Sequence, residues 1–248
     1  MNVREFDGRV ALVTGASRNI GRAIAVSLGE GGASVLVHAH RDAAGAAETA
    51  RLVEEAGGRA AVALGDLSDP AVPETIVEAA LSAFGRLDIL VANAAIRPEE
   101  TIEDLTYEDW RAVMALCLDS VFLLTKAALP ALKQSDRAAI VSIGGLTGHS
   151  GASGRVHVIT AKAALAGLTK ALAHDLGPAA ITVNCVAPGL IETKRDGEEP
   201  KHHATRTNVL GRRGTPEEVA AAVRLLAGPS MRYVTGQTLH VNGGALMV

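Results

Sequence analysis

Aromatic side chains are scarce. Three phenylalanines, two tyrosines and one tryptophan make up 2% of the 248 residues. A core must then be built from Ala, Val, Leu and Ile, which suits parallel strands buried on both faces. The net charge is −3, and no basic block is interleaved with aromatics, so nucleic acid is excluded as a partner. Cysteine is rarer still. Cys117 and Cys185 stand far apart, which excludes a disulfide framework and a zinc site and reads as two buried thiols in a reduced cytoplasm. No uninterrupted apolar run reaches membrane-spanning length. The first residues, Met1 to Gly8, are short and charged rather than a secretory leader. The expectation is a soluble cytoplasmic protein that holds no metal and touches no membrane.

What the chain does contain is a repeat of short apolar runs and helical periods. Strands are expected at Arg9–Val13, Ser34–Val37, Arg59–Leu64, Leu87–Val91, Ala138–Ile143, Ile181–Val186 and Gln237–Val241. Between them lie helices over Ile20 onward, Ala43–Ala56, Asp69-Pro70 to Phe84, Thr106–Leu132 (whole or broken), Gly154–Leu176 and Thr215–Ala227. Asp69 reads as an N-cap before an N1 proline, and Thr215 with Glu218 has capping-box spacing. No linker or composition shift marks a boundary, so residues 1–248 read as one domain. Right-handed crossovers make such a chain an α/β doubly wound parallel sheet of seven strands, order 3-2-1-4-5-6-7, with helices on both faces. Ligands bind such a Rossmann-type sheet outside the carboxyl ends of its strands, between the first and fourth. Gly15, Asp66, Asn93, Ser142 and Pro188 end strands there. The polar stretch at about 190–212 would form a lid over the substrate; it includes His202 and His203, which read as solvated or substrate-contacting.

The turn Thr14–Ala25, TGASRNIGRAIA, joins the first strand to the first helix. Gly15 allows the sharp turn and Gly21 the close approach of helix to strand; Asn19 tolerates a left-handed backbone. Free N–H groups and the dipole at the helix start favour a pyrophosphate.

Taken together, TGASRNIG at Thr14–Gly21, GDL at Gly65–Leu67, ANAA at Ala92–Ala95, Ala161-Lys162, NCVAPGLIET at Asn184–Thr193 and YVTGQTLHVNGG at Tyr233–Gly244 resemble the short-chain dehydrogenase/reductase family over nearly the full length. The resemblance implies a nicotinamide dinucleotide held by Gly15, Ser17, Arg18, Asn19, Ile20, Gly21, Arg41, Asp66, Leu67, Asn93, Ala94, Lys162, Pro188, Gly189 and Thr193. Asp66 would bond the adenine, Asn93 would pack near the adenosine ribose, and Thr193 would contact the pyrophosphate or carboxamide. The second strand runs into His38-Ala39-His40-Arg41 with no acid for an adenosine 2′-hydroxyl, while Arg18 and Arg41 suit a 2′-phosphate. NADP is therefore favoured over NAD. The resemblance also implies a homotetramer or homodimer built through the helix carrying Lys162 and the last strand.

The catalytic half departs from the family. The family uses serine, tyrosine and lysine, with asparagine behind them. Here Lys162 stands, but Val158 occupies the tyrosine position, Gly145 the serine position and Cys117 about the asparagine position. Tyr107 and Tyr233 are too distant to substitute. His149, in the loop after the fifth strand, and His157, beside the lost tyrosine, are candidate acid–base groups. Helical geometry disfavours His157: positions 158 and 162 lie about 40° apart around the axis, positions 157 and 162 about 140°. Thr147, Ser150 and Ser153 could offer a hydroxyl, or serve only as turn and cap residues. Lys162, held without tyrosine in an apolar site, should have a lowered pKa. Three readings stay open: an oxidoreductase with altered proton delivery, a non-redox isomerase, lyase or hydratase with His149 or Lys162 as base, and an inactive nucleotide-binding subunit.

Overall fold

The computed structural model describes residues 4–194 and 207–248. His202, His203 and most of the expected lid lie outside the described residues. Seven parallel strands form one sheet in the order β3-β2-β1-β4-β5-β6-β7, as the crossover argument requires. They are β1 (Val10–Val13), β2 (Ser34–Ala39), β3 (Arg59–Leu64), β4 (Ile89–Ala92), β5 (Ala139–Ile143), β6 (Thr182–Pro188) and β7 (Thr238–Val241). The period-2 alternation sorts the side chains into two layers. Ala11, Val13, Val35, Val37 and Val91 face α1 (Asn19–Glu30), α2 (Ala43–Glu55) and, further along the chain, Pro216–Ala227. Val10, Leu12, Leu36 and Leu90 face α3 (Val72–Phe84) and the long helices after β4 and β5. Burying each such leucine contributes about 1.5–3 kcal/mol. β1, β4, β5 and β6 are buried along their whole length, whereas the edge strands β3 and β7 alternate with solvent.

Local chemistry sets where elements begin. The expected helix start at Asp69-Pro70 is corrected: Asp69 Oδ1 accepts the Ala71 N–H at 2.9 Å, making a side-chain turn, and α3 begins only at Val72. The helix expected from Gly154 begins at Val156, because Gly154 adopts a left-handed φ of 64° that no helix continues through. The long helix after β4 is continuous but broken in pitch. It comprises α4 (Tyr107–Met114), a π turn over Ala115–Asp119 and α5 (Ser120–Leu132). The π turn points Cys117 inward, its Sγ 3.5 Å from the Ile96 carbonyl. A four-residue helix, α6 (Thr147–Ser150), was not foreseen. It is followed by α7 (Val156–Leu176) and α8 (Pro216–Ala227), the latter opened by the Thr215/Glu218 capping box.

Two helical stretches, Tyr107–Leu132 and Val156–Ala179, are long and apolar enough to cross a membrane by length and composition. In this fold they cover the sheet: Leu124, Ala128, Leu132, Ala173 and Leu176 pack on one of its faces.

Candidate active site

The glycine turn is fastened to its neighbours by backbone and short polar side chains. Gly15 has φ 61°, and a Cβ there would lie 2.9 Å from Ala94 Cα. A Cβ on Gly21 would lie 2.3 Å from the Gly15 carbonyl oxygen, so α1 reaches β1 only because no side chain intervenes. Asn19 adopts the left-handed φ of 51° that its position called for. Its side chain does further work: Oδ1 accepts the Lys194 N–H at 2.9 Å and Nδ2 donates to the Lys194 carbonyl at 3.0 Å, tying the start of α1 to the segment carrying Thr193. Thr14 Oγ1 accepts from Asn93 N at 2.9 Å and Ala94 N at 3.0 Å. Asn93 Nδ2 donates to the Thr14 and Gly15 carbonyls at 2.8 and 3.0 Å, so this amide braces the turn.

His38, buried at the end of β2, was not identified as a site residue. Its Nδ1 accepts the Gly15 N–H at 3.3 Å and its Nε2 donates to the Gly65 carbonyl at 3.0 Å, which assigns the neutral tautomer. Burial lowers its pKa in agreement. One ring thus joins the tips of β1, β2 and β3. Asp66 Oδ1 accepts from the Ser68 hydroxyl at 2.7 Å and the Ser68 N–H at 3.0 Å; these bonds hold its carboxyl below the usual range. Asp42 is an acid near the end of β2 that the sequence reading passed over. It caps α2 through Gly45 N at 2.9 Å, and that bond and the Ser17 hydroxyl lower its pKa.

All the residues expected on the cofactor side line one cavity of about 1060 Å³, together with His38, His40, Asp42 and Lys194. That is at the upper end of ligand-pocket sizes. Thr193 Oγ1 is buried in its wall with no hydrogen-bond partner among the described residues. A side-chain-free cradle at a helix start, a row of strand-end carbonyls and a waiting hydroxyl fit a dinucleotide.

At the other end of the same cavity stand Gly145, Thr147, Val158 and Lys162, with Arg97 and Arg155. Lys162 Nζ donates to the Ile143 carbonyl at the tip of β5 at 2.5 Å. Burial lowers its pKa, as expected for a lysine without tyrosine, and the Arg97 and Arg155 charges lower it further. Val158 is 1% exposed and packed against Val113, Met114, Cys117 and Ala161. At Gly145 a Cβ would meet nothing nearer than Lys162 Cγ at 4.0 Å.

The two candidate histidines do not line the cavity. His157 is fully buried, its Nε2 4.0 Å from Glu100 Oε2, on a different side of α7 from Val158 and Lys162, as helical geometry indicated. His149 is exposed on α6 and stacks edge-on against His240 with ring centroids 4.7 Å apart. Of the candidate hydroxyls, Thr147 lines the cavity, whereas Ser150 bonds back to the Leu146 and Gly151 carbonyls. Arg97 and Arg155 were missed. The signal was present for Arg155, which precedes Val158 by three residues and Lys162 by seven, the spacing of one helix face.

The family model described as enoyl-(acyl carrier protein) reductase matches residues 15–245. The chain is 38% identical to the 3-oxoacyl-(acyl carrier protein) reductase FabG of Vibrio cholerae and 39% identical to that of Escherichia coli, each over 98% of this chain and 99% of the relative. A short-chain dehydrogenase from Burkholderia cenocepacia, solved in complex with NADP, superposes with a TM-score of 0.92 at 36% identity, covering 97% of this chain and 99% of the other. A dehydrogenase/reductase from Sinorhizobium meliloti gives 0.93 at 37% identity, covering 99% and 98%. Matched in sequence and in fold from one end to the other, the chain belongs to the short-chain dehydrogenase/reductase family of NAD(P)-dependent oxidoreductases.

Proposed function

We propose that this chain is an NADP-preferring oxidoreductase of a carbonyl or alcohol, in which water rather than a tyrosine hydroxyl exchanges the proton. The observation that carries the reading is the unbroken cradle from Gly15 to Lys162 along one cavity. A bound nicotinamide dinucleotide supplies or accepts hydride there. The protein's part is to bind and orient. The α1 start and the Gly15–Gly21 turn take the pyrophosphate. Arg18 and Arg41 are exposed on the cavity wall, where a 2′-phosphate would meet them, while the carboxyl of Asp42 is already engaged in capping α2. Lys162, fixed on the Ile143 carbonyl, keeps further N–H groups that would serve a nicotinamide ribose. Gly145 and Val158 offer no proton, and the room beside Gly145, with Lys162 Cγ 4.0 Å from an added Cβ, would take a water. α7 and β7, with Val156 and Leu239 exposed, are the elements through which a homodimer or homotetramer would form.

Isothermal titration with NADPH and NADH tests the reading. NADPH should bind in the micromolar range and at least about tenfold more tightly than NADH, and Arg41→Ala should narrow that ratio to about threefold or less. Equal affinity for both would remove the NADP preference. Binding of neither, with turnover of any substrate that consumes no nicotinamide, would replace the redox reading with the non-redox one.

A further inference from the structure

At the tips of β2 and β3, one ring nitrogen of the cavity wall has two neighbours that want different things from it. His40 follows β2 directly, and Arg41 follows His40. Arg41 Nε donates to His40 Nε2 at 3.1 Å. The same Nε2 lies 3.4 Å from Asp66 Oδ2, just beyond the end of β3. Asp66 Oδ1 is taken up by the Ser68 hydroxyl and N–H, so Oδ2 is the oxygen that faces the ring. His40, Arg41 and Asp66 all line the cavity.

That nitrogen cannot serve both neighbours at once. To accept from Arg41 it must offer a lone pair; to donate to Asp66 it must carry a proton. The shorter contact is the one with Arg41, which assigns the ring as neutral with its proton on Nδ1. An imidazolium would donate to Asp66 instead, refuse the Arg41 N–H, and set a positive charge beside the guanidinium that drives it off the ring. One proton taken from solvent therefore exchanges one partner for the other. Histidine is the side chain that changes charge across the neutral range, and here solvent reaches it, the His40 side chain being 50% exposed and that of Asp66 44%.

The other titratable or charged groups along this part of the wall are His38, Arg18 at the start of α1, Asp42 at the start of α2 and Lys194 after β6. His38 bridges Gly15 and Gly65 and Asp42 caps α2. The ring's charge is felt by its neighbours. After the bonds from Ser68, the His40 and Arg41 charges help to hold the Asp66 carboxyl low, and His40 adds to the effect of burial in lowering His38.

We propose that His40 is a specificity-determining residue: with a proton it holds Asp66 and turns Arg41 toward an adenosine 2′-phosphate, so that the preference for NADPH over NADH strengthens as pH falls. The inference rests on the NADP-preferring reading above. Adenine, pyrophosphate and nicotinamide are common to both dinucleotides, so whatever His40 does to them through Asp66 cancels in the ratio of the two affinities. What remains in the ratio is the 2′-phosphate, which a guanidinium and an imidazolium both attract.

The test is that ratio, measured by calorimetric titration of NADPH and NADH at about pH 6.5 and about pH 8.5 in one ionic strength. In the parent it should be about threefold to fivefold larger at the lower pH, the size of one exposed charge contact. His40→Gln keeps a polar side chain at an exposed position but cannot take up a proton, and should hold the ratio within about 1.5-fold between the two conditions. By linkage, NADPH should take up more protons than NADH when it binds near neutral pH. Titration in buffers of different ionisation enthalpy reads that difference, which should vanish in His40→Gln. Thermal melting confirms that the variant folds. A clear NADPH preference that is the same at both pH values, or that changes with pH as much in His40→Gln as in the parent, overturns the role of His40 and leaves the NADP-preferring reading standing. Equal affinity for the two dinucleotides at both pH values overturns both.

Discussion

At the scale of single residues, the proposed chemistry turns on three positions: Lys162 is present, and Gly145 and Val158 carry no hydroxyl where the family resemblance implies one. Neither replacement disturbs the surroundings, since Val158 completes a small apolar cluster and Gly145 leaves a gap. The site is therefore open to repair. Gly145→Ser adds a hydroxyl whose Cβ clears its nearest neighbour, and Val158→Tyr places a phenol one helical turn before Lys162, with the cavity to receive its ring. General acid–base catalysis contributes about a hundredfold to ten-thousandfold, so the double variant should reduce neutral ketones with kcat/KM at least about a hundredfold above the parent. The loss of NADPH absorbance follows it. A folded double variant that still binds NADPH and gains nothing would mean the cavity presents substrate differently from the family arrangement.

At the level of elements, what positions the site is the contact of α1 with the turn after β1 and with Asn93 just beyond β4. Two glycines and an asparagine between a buried strand and a helix mark a tight turn in the sequence; any tight strand-to-helix turn shares that pattern, and it is the combination with the later motifs that gives it meaning. The outcome is tighter than that reading, because Gly21 abuts both the Gly15 carbonyl and Asn93 Nδ2, the latter at 2.6 Å from an added Cβ. Gly21→Ala should cost about 3 kcal/mol by overpacking, lower the melting temperature by about 6–12 °C for a chain of this size and weaken NADPH by more than about tenfold. Gly167, in the middle of α7 with nothing within 4 Å of an added Cβ, is the control. Gly167→Ala should stabilise by about 0.5–1 kcal/mol through backbone entropy alone. Thermal melts of both variants separate contact from entropy, and equal effects would contradict the packing argument. Elsewhere the legibility of elements followed the locality of their signals. Strand interiors and the Thr215 capping box depend on residues within a few positions, and both were placed correctly. The π turn at Cys117 lies against Ile96, a contact no window of sequence contains, and the late start of α7 follows from the left-handed Gly154, whose sign of φ the sequence does not reveal. Site residues divided the same way. Gly15 and Asn19 are readable because the turn that needs their left-handed backbone is local, and Lys162 because it falls in a motif shared with the family. His38 and Arg97 act across strands and loops, and carry no local mark.

Across the whole molecule, the two edges of the sheet have separate duties. The carboxyl ends of the strands carry the cavity, and the amino ends carry an ionic knot around Asp88, whose side chain is fully buried. Asp88 accepts from Arg86 at 2.7 and 2.9 Å, from Arg9 at 3.2 Å, from the Ser135 hydroxyl at 2.5 Å and from the Val10 N–H at 2.9 Å. Its backbone pairs with Val10 and Ala139, so one residue joins β1, β4 and β5 at their starts. Burial alone would raise its pKa; the bonds from Arg86, Ser135 and Val10 outweigh it, and the net shift is downward. A carboxyl lowered on folding adds stability that is fully present above its unfolded pKa of about 3.9 and is lost as pH falls through the folded value. The parent protein should therefore hold its stability at neutral pH and lose it progressively below about pH 4. Asp88→Asn leaves Arg86 facing a neutral group, while Arg9 keeps its pair with Asp136, and should cost about 3 kcal/mol at pH 7. Its stability should then fall less steeply than the parent's in acid. Because the knot lies at the far edge from the cavity, NADPH affinity at pH 7 should change by less than about twofold, as distant sites act additively. Urea unfolding at a series of pH values, with NADPH titration of the folded variant, checks both halves. A variant with the parent's acid slope would place the titrating group elsewhere, and a large loss of NADPH affinity would show that the two edges are coupled through the sheet.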